Sequence, residues 1–71
     1  MKVWVTRDND CNGIVELHAG PQPAMGDGGY YYPIGSVGHL LRDTRAEFKA
    51  HFGFTPRKGS CKQYKLTLEA I

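Results

Sequence analysis

Between Gly20 and Gly38, nineteen positions hold six glycines and three prolines. No regular helix tolerates that density, because glycine forfeits backbone entropy and proline lacks an amide donor. The stretch therefore reads as a long loop over 20–38 that divides the chain into an amino-terminal and a carboxy-terminal piece. One candidate strand interrupts it, Tyr30-Tyr-Tyr32, whose aromatic side chains suit a sheet edge and whose Pro33 borders the pairing. With 71 residues in all, the two pieces must share one core. Residues 1–71 are expected to form a single domain, and a loop of this length inside it is expected to be functional or mobile.

In the amino-terminal piece, Lys2-Val-Trp-Val-Thr6 is rich in β-branched and aromatic residues, and Ile14 to Ala19 alternates. Both read as strands, and the Asx-rich run Asp8 to Gly13 between them turns the chain into a hairpin. Two registers are open. One places Val5 with Val15 and Leu17 and sends Trp4 to the opposite face beside Glu16 and His18. The other places Trp4 and Thr6 with Val15 and Leu17, and the high average burial of tryptophan favours it.

The carboxy-terminal piece carries a T-x-x-E capping box at Thr44 and Glu47, which predicts a helix start. Phe48 and Phe52 share one face of that helix, and Gly53 supplies the left-handed residue that ends it. Leu40 and Leu41 either extend the helix backwards or form a turn. Thr55 to Gly59 is a turn, and Cys61 to Ala70 alternates with Tyr64, Leu66, Leu68 and Ala70 on one side, a half-buried final strand. The expected fold is α+β, a small antiparallel sheet of three to four strands with one helix packed on a face, in the order ββ(β)αβ.

Hydrophobic residues at 41% and charged residues at 23% are ordinary globular usage and exclude intrinsic disorder. A core this small has little room for a deep pocket, which argues against an enzyme that engulfs a small-molecule substrate. The chain opens on a strand-like run instead of an apolar signal core, and Cys11 and Cys61 are too few for a secreted disulfide scaffold. A cytoplasmic protein with no membrane partner is expected. Charge is divided unevenly. Over residues 1–36, Lys2 and Arg7 stand against Asp8, Asp10, Glu16 and Asp27, a net −2; from residue 37 onward seven cations stand against three carboxylates, a net +4. The second half is the expected docking surface for something acidic.

Several constellations resolve into plain structural readings. Asp8-x-Asp10-x-Asn12-Gly13 is similar to the first half of an EF-hand loop, but Ala19 stands where the bidentate glutamate belongs, so an Asx-rich hairpin turn is expected. Cys11, Cys61, His18, His39 and His51 show neither metal-finger spacing nor a nucleophile–base pattern, so no metal, no cofactor and no catalytic residue is expected. Gly26 to Gly29 lacks the lysine and hydroxyl of a phosphate loop. What remains is the densest basic cluster, Arg57, Lys58 and Lys62 with Ser60, and the tyrosines Tyr30 and Tyr31, which offer large contact area at low entropic cost. These six are the candidate partner-binding residues.

The opening Lys2-Val-Trp-Val-Thr-Arg-Asp8 and the block Phe48 to Lys62 together resemble small uncharacterised proteins of gut bacteria, their prophages and mobile elements. The resemblance covers about a third of the chain and implies no activity. The expected function is a non-enzymatic protein-interaction module from a phage or mobile element, with a protein partner. The alternative is a weak nucleic-acid binder using the same basic residues and the tyrosines as a stacking surface.

Overall fold

The computed structural model describes residues 1–35 and 39–67. Its first two strands, β1 (Lys2–Arg7) and β2 (Val15–His18), form the expected antiparallel hairpin, with Trp4 opposite His18, Val5 opposite Leu17 and Thr6 opposite Glu16. Opposed residues share a face, so Val3, Val5, Val15 and Leu17 point one way and Trp4, Thr6, Glu16 and His18 the other. The register favoured by tryptophan's average burial is therefore corrected. Trp4 is half-buried on the second face, because the alternative would put Thr6 in the core and turn both Val3 and Val5 out of it.

The Gly/Pro-rich segment contains β3 (Ala24–Met25) and β4 (Tyr31–Tyr32), which pair with each other in a separate two-stranded sheet. The tyrosines thus do not join the main sheet. Its additional strand is β5 (His39–Asp43), so Leu40 and Leu41 belong to a strand and extend neither the helix nor a turn. Leu41 lies opposite Leu17 and packs against the core, whereas Leu40 falls at a bulge in the β2–β5 ladder and is exposed. Helix α1 (Arg45–Phe52) follows, and β6 (Cys61–Lys65) returns to pair with β1, giving a four-stranded antiparallel sheet of order β5-β2-β1-β6. The fold is α+β as expected. Tyr64 and Leu66 pack against the core; Leu68 and Ala70 lie outside the described residues.

The capping box forms as its spacing requires. Thr44 Oγ1 accepts from the Glu47 amide at 3.2 Å and Glu47 Oε1 accepts from the Thr44 amide at 3.0 Å, so two of the amides that open the helix are satisfied reciprocally. Gly53 closes the helix with φ 83° and donates to the Lys49 carbonyl. Phe48 is 1% exposed and seals Val3, Val5, Val15 and Leu17 beneath the helix. His51 is exposed, as expected of a helix-surface residue, and its Nδ1 lies 3.0 Å from the buried Asp43 carboxylate. Among the described residues no helix is long and apolar enough to cross a membrane.

The second face of the sheet is polar yet covered. Thr6, Asp8, Glu16 and His18 are all buried there, and the Gly/Pro-rich segment is tied across their end of the sheet. The Tyr31 amide donates to Asp8 Oδ1 at 2.9 Å, and the Asn9 amide donates to the Gly29 carbonyl at 2.7 Å. His18 Nε2 lies 3.2 Å from Thr6 Oγ1, while its Nδ1 has no partner among the described residues. Burial holds the His18 pKa below its ordinary value of 6.5; His39 acts in the same direction and Asp8 opposes. Burial pushes Glu16 above its ordinary 4.5, against the pull of His39, whose Nδ1 is 3.3 Å away.

A pH dependence follows from these directions. Because His18 is depressed in the folded chain, the unfolded chain takes up its proton first. The stability it contributes is complete above about pH 6.5 and is lost as pH falls through the folded value. Glu16, being raised, drifts the other way, with stability lost as pH rises from about 4.5 through its folded value. Urea denaturation at intervals from pH 7.5 down is expected to show stability falling on acidification through the histidine range. His18→Gln, which keeps a group able to bond Thr6, is expected to flatten that slope. An unchanged slope in the variant would assign the effect elsewhere.

Candidate functional site

On the helix face, the chain leaving α1 runs back over the sheet towards β6, and its aromatic side chains line a groove. Phe48 stacks at a tilt on Phe52, with centroids 4.7 Å apart, and meets Phe54 edge-on at 5.2 Å; Phe54 in turn lies 5.4 Å from Tyr64 of β6. Phe52 and Phe54 are 38% and 36% exposed, so this aromatic row starts in the core and ends in solvent. Two adjoining hollows of about 120 and 170 Å³ share Val5, Phe54 and Tyr64 as walls. They are smaller than the roughly 300–1,000 Å³ of ordinary small-molecule pockets and suit single side chains.

The larger of the two hollows is also lined by Arg57, Ser60 and Lys62. Three of the six candidate residues are therefore brought to one place. Lys62 lies opposite Val5 and so shares the helix face, with its ammonium 5.6 Å from the Tyr64 ring centre. Lys65 borders the smaller hollow. The turn carrying these groups is well tied. The Ser60 amide donates to the Arg57 carbonyl at 3.0 Å, the Arg7 amide donates to the Ser60 carbonyl at 3.0 Å, and Arg7 Nη1 donates to the Pro56 carbonyl at 2.9 Å. Lys58, at the exposed tip of the turn, does not line the groove.

The two tyrosines part company. Tyr31 is half-buried, and its hydroxyl donates to the Gly59 carbonyl at 2.6 Å. It braces the basic turn from behind. Burial raises the pKa of that hydroxyl, with Cys61 and Asp8 adding to the effect, so it remains a donor. Tyr30 and Tyr32 alternate with it and are 54% and 49% exposed. The Asx turn is engaged with backbone donors: Asp10 Oδ1 accepts from the Gly13 amide at 2.7 Å and Asp8 accepts from Tyr31 as described. Both cysteines are free thiols, and Cys61, half-buried beside Gln22, has its pKa raised by burial. Among the described residues no group of three or more His, Cys, Asp or Glu is placed to hold a metal ion.

Sequence reasoning missed Phe54 and Tyr64 as walls of a site. Phe54 lies one residue past the helix stop at Gly53, outside any periodic pattern, and Tyr64 read only as a core-facing strand residue. The one available signal was composition, an aromatic on each side of a basic turn. In comparisons with known proteins, no family model, no curated protein and no solved structure matches the chain significantly.

Proposed function

We propose that this chain is a non-enzymatic interaction module of a phage or mobile element, docking an acidic region of a partner protein in the groove beside β6. One observation carries the reading. Arg57, Ser60 and Lys62 line the same hollow as the partly exposed Phe54 and the Tyr64 ring, so apolar anchoring and positive charge meet in one place. Partly exposed aromatic rings beside an arginine are the composition of an interface centre, and a lysine next to them suits its charged rim. The small volume of each hollow favours protein side chains over a free small molecule, and the resemblance of both chain ends supports the mobile-element origin.

A second reading, weak binding of single-stranded nucleic acid, draws on Lys62 over the Tyr64 ring, since a base can stack where a cation pairs with an aromatic face. Salt separates the two. A protein captured by the wild-type chain, purified and titrated, is expected to lose about 1–2 kcal/mol of affinity with Phe54→Ala. Lys62→Glu is expected to slow its association, and Lys49→Glu, on the helix surface, to leave it unchanged. Random single-stranded DNA and RNA followed by fluorescence anisotropy at low and high salt are expected not to bind micromolar protein. Sequence-blind binding at the lower salt that is lost steeply at the higher would transfer the groove to the second reading.

A further inference from the structure

The pairing of β6 leaves one of its edges open, and the hydrogen bonds determine which groups it presents. Met1 and Leu66 exchange both backbone bonds, the Leu66 amide donating at 2.7 Å and the Met1 amine at 3.1 Å, and the Arg7 amide donates to Ser60. Bonded and non-bonded pairs alternate along an antiparallel ladder. The bonded pairs are therefore Met1 with Leu66, Val3 with Tyr64, Val5 with Lys62 and Arg7 with Ser60, consistent with the register. The amides and carbonyls of Cys61, Gln63 and Lys65 consequently point away from β1, and among the described residues no strand pairs with them.

We infer that the outer edge of β6 is a strand-addition site for an extended acidic segment of a partner protein. The inference rests on the docking groove proposed above and specifies how the partner enters it. A strand laid against β6 would continue the ladder through residues 61, 63 and 65 and would place alternate side chains on the two faces of the sheet. The side chain opposite Tyr64 sits over the groove beside Phe54 and suits an aromatic or large aliphatic residue. Those opposite Lys62 and Lys65 meet ammonium groups on the two faces and suit carboxylates. In antiparallel pairing the segment reads acid, apolar, any residue, acid.

Charge selects this occupant over a second copy of the chain. Pairing β6 antiparallel with a second β6 about Gln63, the register its outward groups allow, would set the two Lys62 side chains diagonally across the new ladder, a like-charge contact of the kind by which lysines guard sheet edges against self-association. The opposite edge is a poorer template, since β5 carries the bulge at Leu40 and ends at Asp43, which is held by His51.

The test uses the whole protein and a labelled, end-blocked nine-residue peptide with a central Glu-Phe-Thr-Glu run. A second copy of the peptide is methylated on alternate backbone nitrogens, which removes its amide donors and keeps every side chain. The unmodified peptide is expected to bind and to slow amide hydrogen exchange at Gln63 and Lys65. Methylation is expected to weaken binding about tenfold or more, the effect of losing two or so hydrogen bonds. Gln63→Pro, which deletes an outward amide at an edge position that accepts proline, is expected to do the same. Exchange protection in the wild-type chain keeps the test decisive if that variant fails to fold. Equal binding of both peptides, with no protection at Gln63, would overturn strand addition and leave the groove reading intact. Absence of peptide binding up to about 1 mM would also overturn it. The groove reading itself falls only if the captured partner is indifferent to Phe54→Ala and Lys62→Glu.

Discussion

Phe48→Ala is expected to lower stability by about 3–5 kcal/mol, the usual cost of deleting a buried phenylalanine side chain. Two structural facts put it at the upper end. The ring is 1% exposed against Val3, Val5, Val15 and Leu17, and it anchors both Phe52 and Phe54. A single small core rarely supplies more than about 3–5 kcal/mol in total, so the variant is expected to be largely unfolded at room temperature. Urea denaturation followed by far-ultraviolet circular dichroism measures this. A variant within about 1 kcal/mol of wild type would mean that the helix does not seal this face.

Gly29→Ala is expected to have the second largest effect, about 2–3 kcal/mol, and to act on a different part of the molecule. Gly29 has φ +83°, and a Cβ there would lie 2.4 Å from the Asn9 carbonyl oxygen, a backbone atom that cannot rotate away. The same two residues share the hydrogen bond from the Asn9 amide to the Gly29 carbonyl. Relief of the clash must therefore move the Asn9 and Gly29 backbones apart and loosen this tie between the β3–β4 hairpin and the end of the sheet. Gly28→Ala is the matched control: its φ is +85°, but its Cβ meets only the Tyr30 ring at 3.2 Å, which can move. Faster amide exchange at Asn9 and Tyr31 in the Gly29 variant, beyond that of the control, is the expected signature. Equal behaviour of the two variants would reduce the effect to the cost of positive φ alone.

Local signals in the chain were legible and long-range ones were not. The capping box at Thr44 and Glu47, the stop at Gly53 and the Phe48/Phe52 face are decided within one or two helical turns, and all are present. The β1–β2 hairpin was legible as a hairpin. Its register was not, because the Asx-rich connection is too long to dictate the pairing, and a single tryptophan was weighed against two valines. Leu40 and Leu41 were unreadable as a strand because the bulge at Leu40 breaks alternation and the capping box beside them suggests helix. For the candidate site, the basic cluster was legible as composition, and Arg57, Ser60 and Lys62 do meet. Its aromatic wall was not, since Phe54 reaches Tyr64 only after the chain has turned back. Nor was the brace behind it, because the Tyr31–Gly59 bond joins residues 28 positions apart with no local pattern at either end.

The position of β1 between β2 and β6 also sets a timetable for synthesis. The strand made first has its second neighbour in the strand made last among those described, with Met1 bonded to Leu66 across 65 residues of chain. On the ribosome the β1–β2 hairpin emerges early, yet one side of β1 stays bare until β6 clears the exit tunnel. Loop closure over that span precedes any reward from the contacts it makes, which slows folding relative to a local helical bundle of similar size. Nascent chains paused before Cys61 therefore display an unpaired β1 edge beside its valine stripe, the kind of surface that draws neighbouring chains and holdase chaperones alike.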